Sequence, residues 1–203
     1  MMQTTTLAVL LAGFTAVATH AQERLPQEEA LRYADMVGSV QAQLRTAPAA
    51  APLDLKQPVA VRDGEYGLMI LPATKLSADA LAKAGTDVVP VGQLWLLKLA
   101  PLVHEQVVAG DKLQMVTVSG SEGSATLPCC NLGVRQAAGG GLELLVFGKG
   151  KEPIFKTALK SVAGRQTSPL DLEVERESDR GVVTVKLAGK YAANLAVTDP
   201  ELF

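Results

Sequence analysis

The chain has 203 residues, 48% of them apolar and 20% charged, with a formal net charge of −2. That is length for one domain of ordinary size and enough apolar side chains for a sizeable core. The basic residues are scattered, which argues against nucleic acid and against a polybasic membrane-surface patch, since both reward grouped Lys and Arg.

The first signal along the chain is Leu7–Ala18, an uncharged apolar run of the length expected for the core of a signal peptide and short of the ~20 residues a bilayer span needs. Thr19-His20-Ala21 then fits a cleavage site before Gln22. Residues 1–21 therefore read as a signal peptide, although Met1–Thr6 carries no Lys or Arg. The mature chain is expected to work in the periplasm or outside the cell. No cysteine lies near the cleavage site, so no lipid anchor is expected, and no later run is apolar enough to span a membrane. Loss of His20 would leave His104 as the only histidine. A multi-histidine metal site is then impossible within one protomer, and any Ser-His-Asp or Cys-His site must use His104.

Residues 22–45 read as an amphipathic helix, because Leu31, Ala34, Val37, Val40 and Leu44 recur at spacings of three and four. Pro26 suits its first turn. Residues 46–58, rich in Ala and Pro, read as a stiff, extended linker. The helix is thus expected to be an appendage that contributes little to the main core. Its apolar stripe would need a protein partner or a second protomer, since an isolated helix is marginal in water.

From residue 59 to 203 the pattern changes to short strands separated by turns rich in Gly, Asp and Ser. The expected strands are Tyr66–Leu71, Gln93–Leu99, Leu113–Val118, Ala125–Arg135, Leu142–Phe147, Ile154–Leu159, Leu170–Arg176, Val182–Ala188 and Tyr191–Val197. A short helix is expected at Ser77–Ala84, with Ser77 as N-cap and Gly85 past its end. Leu94 and Leu96 alternate with Trp95 and Leu97, so that strand is apolar on both faces and belongs in the middle of a covered sheet. Leu170, Leu172 and Val174 alternate with Asp171, Glu173 and Glu175, which places one face in the core and one in water. A hairpin across Asp179-Arg180 would pair Glu177 with Val182, Glu175 with Thr184, Glu173 with Lys186, Val174 with Val185 and Leu172 with Leu187. No internal repeat is present. Together these elements predict an all-β fold, an antiparallel β-sandwich in the immunoglobulin-like or jelly-roll style, preceded by a helical appendage.

The adjacent pair Cys129-Cys130 is the only redox candidate. Neighbouring strand residues point to opposite faces. Cys130, in step with Leu132 and Val134, should face the core, and Cys129, in step with Asn131, should face outward. A disulfide between neighbours would be strained and easily reduced. The alternatives are one buried and one partly exposed thiol, an intermolecular disulfide, or a metal site completed by other ligands. The acidic run Asp171, Glu173, Glu175, Glu177, Asp179 lacks a calcium-loop spacing and reads as a solvated sheet face. Gly139-Gly140-Gly141 lacks the ending of a phosphate loop. Phe203 ends a segment that Pro200 interrupts, unlike the alternating strand of an outer-membrane barrel. No cofactor is implied. These readings favour an exported, non-enzymatic interaction or structural domain. The alternatives are a small-ligand module for a glycan or lipid, marked by Trp95 and tyrosines around a concavity, and a redox, metal-handling or hydrolytic protein using Cys129, Cys130 or His104.

Overall fold

The computed structural model describes residues 22–44, 46–120, 123–177 and 179–202. The expected signal peptide and Phe203 lie outside the described residues. Among the described residues two α-helices and fourteen strands follow in chain order: β1 (Glu23–Arg24), α1 (Gln27–Gly38), β2 (Val59–Asp63), β3 (Tyr66–Pro72), α2 (Ala78–Ala82), β4 (Val89–Leu97), β5 (Ala100–Val103), β6 (Gln106–Val107), β7 (Gln114–Gly120), β8 (Gly123–Gln136), β9 (Leu142–Phe147), β10 (Pro153–Ala158), β11 (Lys160–Ser161), β12 (Leu170–Glu177), β13 (Arg180–Leu187) and β14 (Tyr191–Thr198). All nine expected strands are present, with ends shifted by a few residues. The strands that the sequence did not announce are short or interrupted by charges. Ser77 caps α2 as expected, its side chain accepting a hydrogen bond from the Ala80 N–H.

The fold is an antiparallel β-sandwich. An eight-stranded sheet runs β1-β2-β3-β4-β8-β9-β10, with β7 lying against β8 in line with β9. A six-stranded sheet runs β12-β13-β14-β5-β6, with β11 on β14. Inward-facing residues of both sheets form one core, including Ile70, Leu94, Leu96, Cys130, Leu132, Val134, Leu144, Leu170, Leu172, Val183, Val185 and Leu187. β4 sits between β3 and β8, and Leu94, Trp95 and Leu96 are buried on its two faces as expected, while Leu97 at its end is exposed. Gly92 permits this packing, because a Cβ there would lie 2.2 Å from the Leu71 carbonyl oxygen on the neighbouring strand.

The cover on the outer face corrects the expected role of the N-terminal segment. Gln22–Arg45 is not one helix: Glu23–Arg24 pair with β2, α1 starts after Pro26, and Gln41–Leu44 form a 3-10 turn. Nor is the segment an appendage in search of a partner. Ala30, Ala34, Val37, Val40 and Leu44 pack on Ala60, Met69, Leu71, Trp95, Val116, Val118 and Cys129, the outward residues of the large sheet. Ala34, Val37, Val40 and Leu44 of the expected stripe lie in this contact, Ala30 stands in it where Leu31 was expected, and its partner is the chain's own sheet. The Ala/Pro segment is likewise tied down, by an isolated bridge between Leu53 and Ala73 and by the Asp54 N–H donating to the Pro72 carbonyl, 2.9 Å.

The β12–β13 hairpin corrects the expected register by two residues. Glu177 pairs with Arg180, Glu175 with Val182, Val174 with Val183 and Leu172 with Val185. An even shift leaves every side chain on its expected face. The connection falls one residue earlier than expected, which moves Arg180 out of the turn and into β13. The Asp179 carbonyl accepts from Thr198 Oγ1, and Arg180 is freed to pair with Glu105 and Glu177. Glu173 still meets Lys186, diagonally rather than directly opposite.

Candidate functional site

The two cysteines face opposite sides of β8, as alternation requires. Cys130 lies in the core between the sheets and Cys129 lies beneath α1, and both are free. The expectation that Cys129 would be partly exposed is corrected, since it is 1% exposed. The reason is α1, whose cover could not be read from β8 alone. Burial pushes the Cys130 thiol up to about 12 and the Cys129 thiol well above the ordinary range, the latter also through its neighbour Cys130. A thiolate is the reactive form, so neither side chain is poised as a nucleophile at neutral pH. Among the described residues no group of three or more His, Cys, Asp or Glu is placed to hold a metal. In the native protein a thiol-specific reagent should label neither cysteine within the time that labels both in urea; rapid native labelling of Cys129 would mean that α1 lifts from the sheet.

His104 sits on the surface, in the two-residue turn joining β5 to β6, where His104 and Glu105 both take positive φ of 51° and 61°. This is the backbone of the tight hairpin turn matched to strand twist. The imidazole borders an open cleft of about 830 Å³, together with Lys112, Lys149, Lys151 and Glu152. No Ser, Thr or Cys lines that cleft, so His104 has no hydroxyl or thiol to activate there.

Trp95 is 2% exposed, packed under α1 with its Nε1–H donating to Gln93 Oε1 at 3.2 Å. It therefore offers no ring to a ligand. A second concavity opens at one end of the sandwich, with apolar walls from Val61, Leu68, Val174 and Val197. At its rim Tyr66 donates to Asp199 Oδ2 at 2.6 Å. That hydrogen bond is the main reason the Tyr66 hydroxyl is raised to about 12 and the Asp199 carboxyl lies below the usual range. The pair ties the end of β14 to the β2–β3 hairpin, and Arg176 and Arg180 at the same rim are held by Asp63 and by Glu105 and Glu177.

The strand edges differ in a way the sequence did not disclose. Exposed edges invite pairing with other chains, and proteins ordinarily blunt them with short strands, charges or proline. Here β1, β6 and β11 are two residues each. β10 begins with Pro153 and carries Lys156. β12 carries Asp171, Glu173, Glu175, Arg176 and Glu177. β7 has seven residues, Gln-Met-Val-Thr-Val-Ser-Gly, with neither charge nor proline. It pairs with β8 along one side, and among the described residues no backbone hydrogen bond from outside that ladder reaches Gln114–Gly120. Val116 and Val118 are buried under α1, whereas Met115, Thr117 and Ser119 are exposed. Most of the acidic run of β12 is exposed as expected, with Asp171 held instead by Arg24. Two uncharged edges remain among the described residues: β7, and residues 123–128 of β8 on the side away from β7, which end in Pro128. The uncharged run was visible in the sequence; which strand lies at an edge was not.

No family model, curated protein or solved structure that was compared with the chain matches it.

Proposed function

We propose that the chain is an exported, non-enzymatic β-sandwich module that binds a protein partner by strand addition at the β7 edge. The observation that carries this reading is the contrast among the edges of the described residues: the others are short, charged or proline-bearing, while β7 offers seven uncharged residues and an unpaired backbone. Main-chain hydrogen bonds would supply the contact, and the exposed Met115, Thr117 and Ser119 would supply what selectivity it has. Export rests on Leu7–Ala18 and the small residues before Gln22. The two buried thiols lend no support to a redox or metal-handling role. A small-ligand role has one observation in its favour, the apolar-walled cleft at the sandwich end, which suits an aliphatic group better than a glycan because no exposed ring cluster lines it.

Photo-crosslinking in the native host tests the proposal. A photoreactive residue at Thr117 should give a discrete protein adduct in the exported fraction, and the same residue at exposed Glu175 on β12 should give none. Equal adducts at both positions, or none at Thr117, would overturn it.

A further inference from the structure

We infer that the strand that adds to β7 is β7 of a second copy of this chain, in an antiparallel pair with its two-fold axis at Thr117. The inference rests on the proposed use of this edge and names its occupant.

The argument begins with the edge's own symmetry. A two-fold axis at Thr117 sets Gln114 against Gly120, Met115 against Ser119, Val116 against Val118 and Thr117 against itself. That register pairs all seven residues of each strand, and an axis at any other residue leaves part of one strand without a partner. It brings no charge opposite a like charge, because the strand has none. The longer edge strand β12 fails this test: set against itself it would oppose Asp171, Glu173, Glu175 and Glu177 with one another. At the centre the β-branched Val116, Thr117 and Val118 have the side chains that suit a pleated surface. The pairing is isologous and closes after two copies, so it satisfies the edge without starting a fibre. It would join two eight-stranded sheets across the seam, with Val116 and Val118 of both copies on the α1-covered side.

The seam is short. Seven residues span about 24 Å of strand, and a contact confined to such a strip falls in the small class of interfaces that form and dissociate readily. The dimer should therefore depend on concentration within the micromolar range.

Sedimentation equilibrium of the purified chain provides the test. The average mass of the native sequence should rise from monomer toward dimer with concentration. Thr117→Lys sets two ammonium groups face to face at the axis and should weaken association at least about tenfold. Thr117 is exposed and its hydroxyl shares one hydrogen bond with that of Thr126, so the substitution should shift the unfolding curve only slightly, which is checked in parallel. Thr117→Glu should also be monomeric, and an equal mixture of the two variants should recover the dimer, because Lys then faces Glu. A native chain that stays monomeric throughout, a Thr117→Lys chain that associates as well as the native one, or a mixture that fails to recover would each overturn the inference. A monomeric native chain that still cross-links through Thr117 to a different protein would overturn self-pairing and leave the strand-addition reading standing.

Discussion

A chain beginning at Pro58 should lose its cooperative unfolding transition and aggregate, whereas a chain beginning at Gln22 should unfold like the longer one. Removing β1, α1 and the segment after it uncovers Met69, Leu71, Trp95, Val116 and Val118 on the outer face of the large sheet. Returning a large apolar side chain from a buried site to water costs about 1.5–3 kcal/mol. Five of them together reach the order of 10 kcal/mol, comparable with the whole stability of a typical domain. Release of the ordered segment regains conformational entropy and offsets part of this loss. The bared face would still be a contiguous apolar patch on the sheet's central strands, which invites association. Urea titration followed by circular dichroism and Trp95 fluorescence checks the result. A soluble truncated chain with a two-state transition within about 1 kcal/mol of the intact one would show that α1 is dispensable.

The expectation that this segment stood apart came from composition, and its failure is instructive. Most of the apolar stripe was legible because Ala34, Val37, Val40 and Leu44 follow helical spacing, although Leu31 was assigned to it where Ala30 makes the contact. The prolines and alanines after it looked like a spacer, because composition reports stiffness and not contact. A hint did lie elsewhere in the sequence. Trp95 and Cys129 face outward on strands whose other faces are already apolar, and an outward face with such residues requires a cover. The amphipathic segment was the element available to provide it. Joining the two observations would have placed α1 on the sheet and Cys129 beneath it.

The strand pattern was legible for a different reason. Alternation along Leu170–Glu177 and Arg180–Leu187 identified the core face correctly even though the register was two residues off, because side-chain direction depends only on odd or even position. Strand order is another matter. Nothing local distinguishes Leu113–Val118 from a central strand, since position within a sheet is decided by pairings between residues far apart in the chain. The proposed contact edge could not be seen before the topology was known.

Gln93→Leu should be among the most damaging single substitutions in the protein, although it replaces a polar residue by an apolar one of similar size in a buried site. Gln93 is 2% exposed and sits on the face of β4 covered by the N-terminal segment. Its Oε1 accepts from Gln41 Nε2 at 2.9 Å and from Trp95 Nε1 at 3.2 Å, and its Nε2 donates to Asn131 Oδ1 at 2.9 Å. Asn131 is also 2% exposed and lies directly across the β4–β8 ladder. Leucine would leave the Trp95 N–H without its acceptor and the Asn131 carbonyl without its donor. An orphaned buried polar group costs about 1–3 kcal/mol, so the loss should be roughly 3–5 kcal/mol. Gln41→Ala removes one donor from the same cluster but strands nothing, because Gln93 keeps its bonds to Trp95 and Asn131; it should cost about 1 kcal/mol. The double substitution Gln93→Leu with Asn131→Leu should recover part of the loss, since it removes one orphan together with its former partner. Urea midpoints for the four chains order these expectations. If Gln93→Leu costs no more than Gln41→Ala, the buried amides do not hold the segment to the sheet, and apolar packing alone must do so.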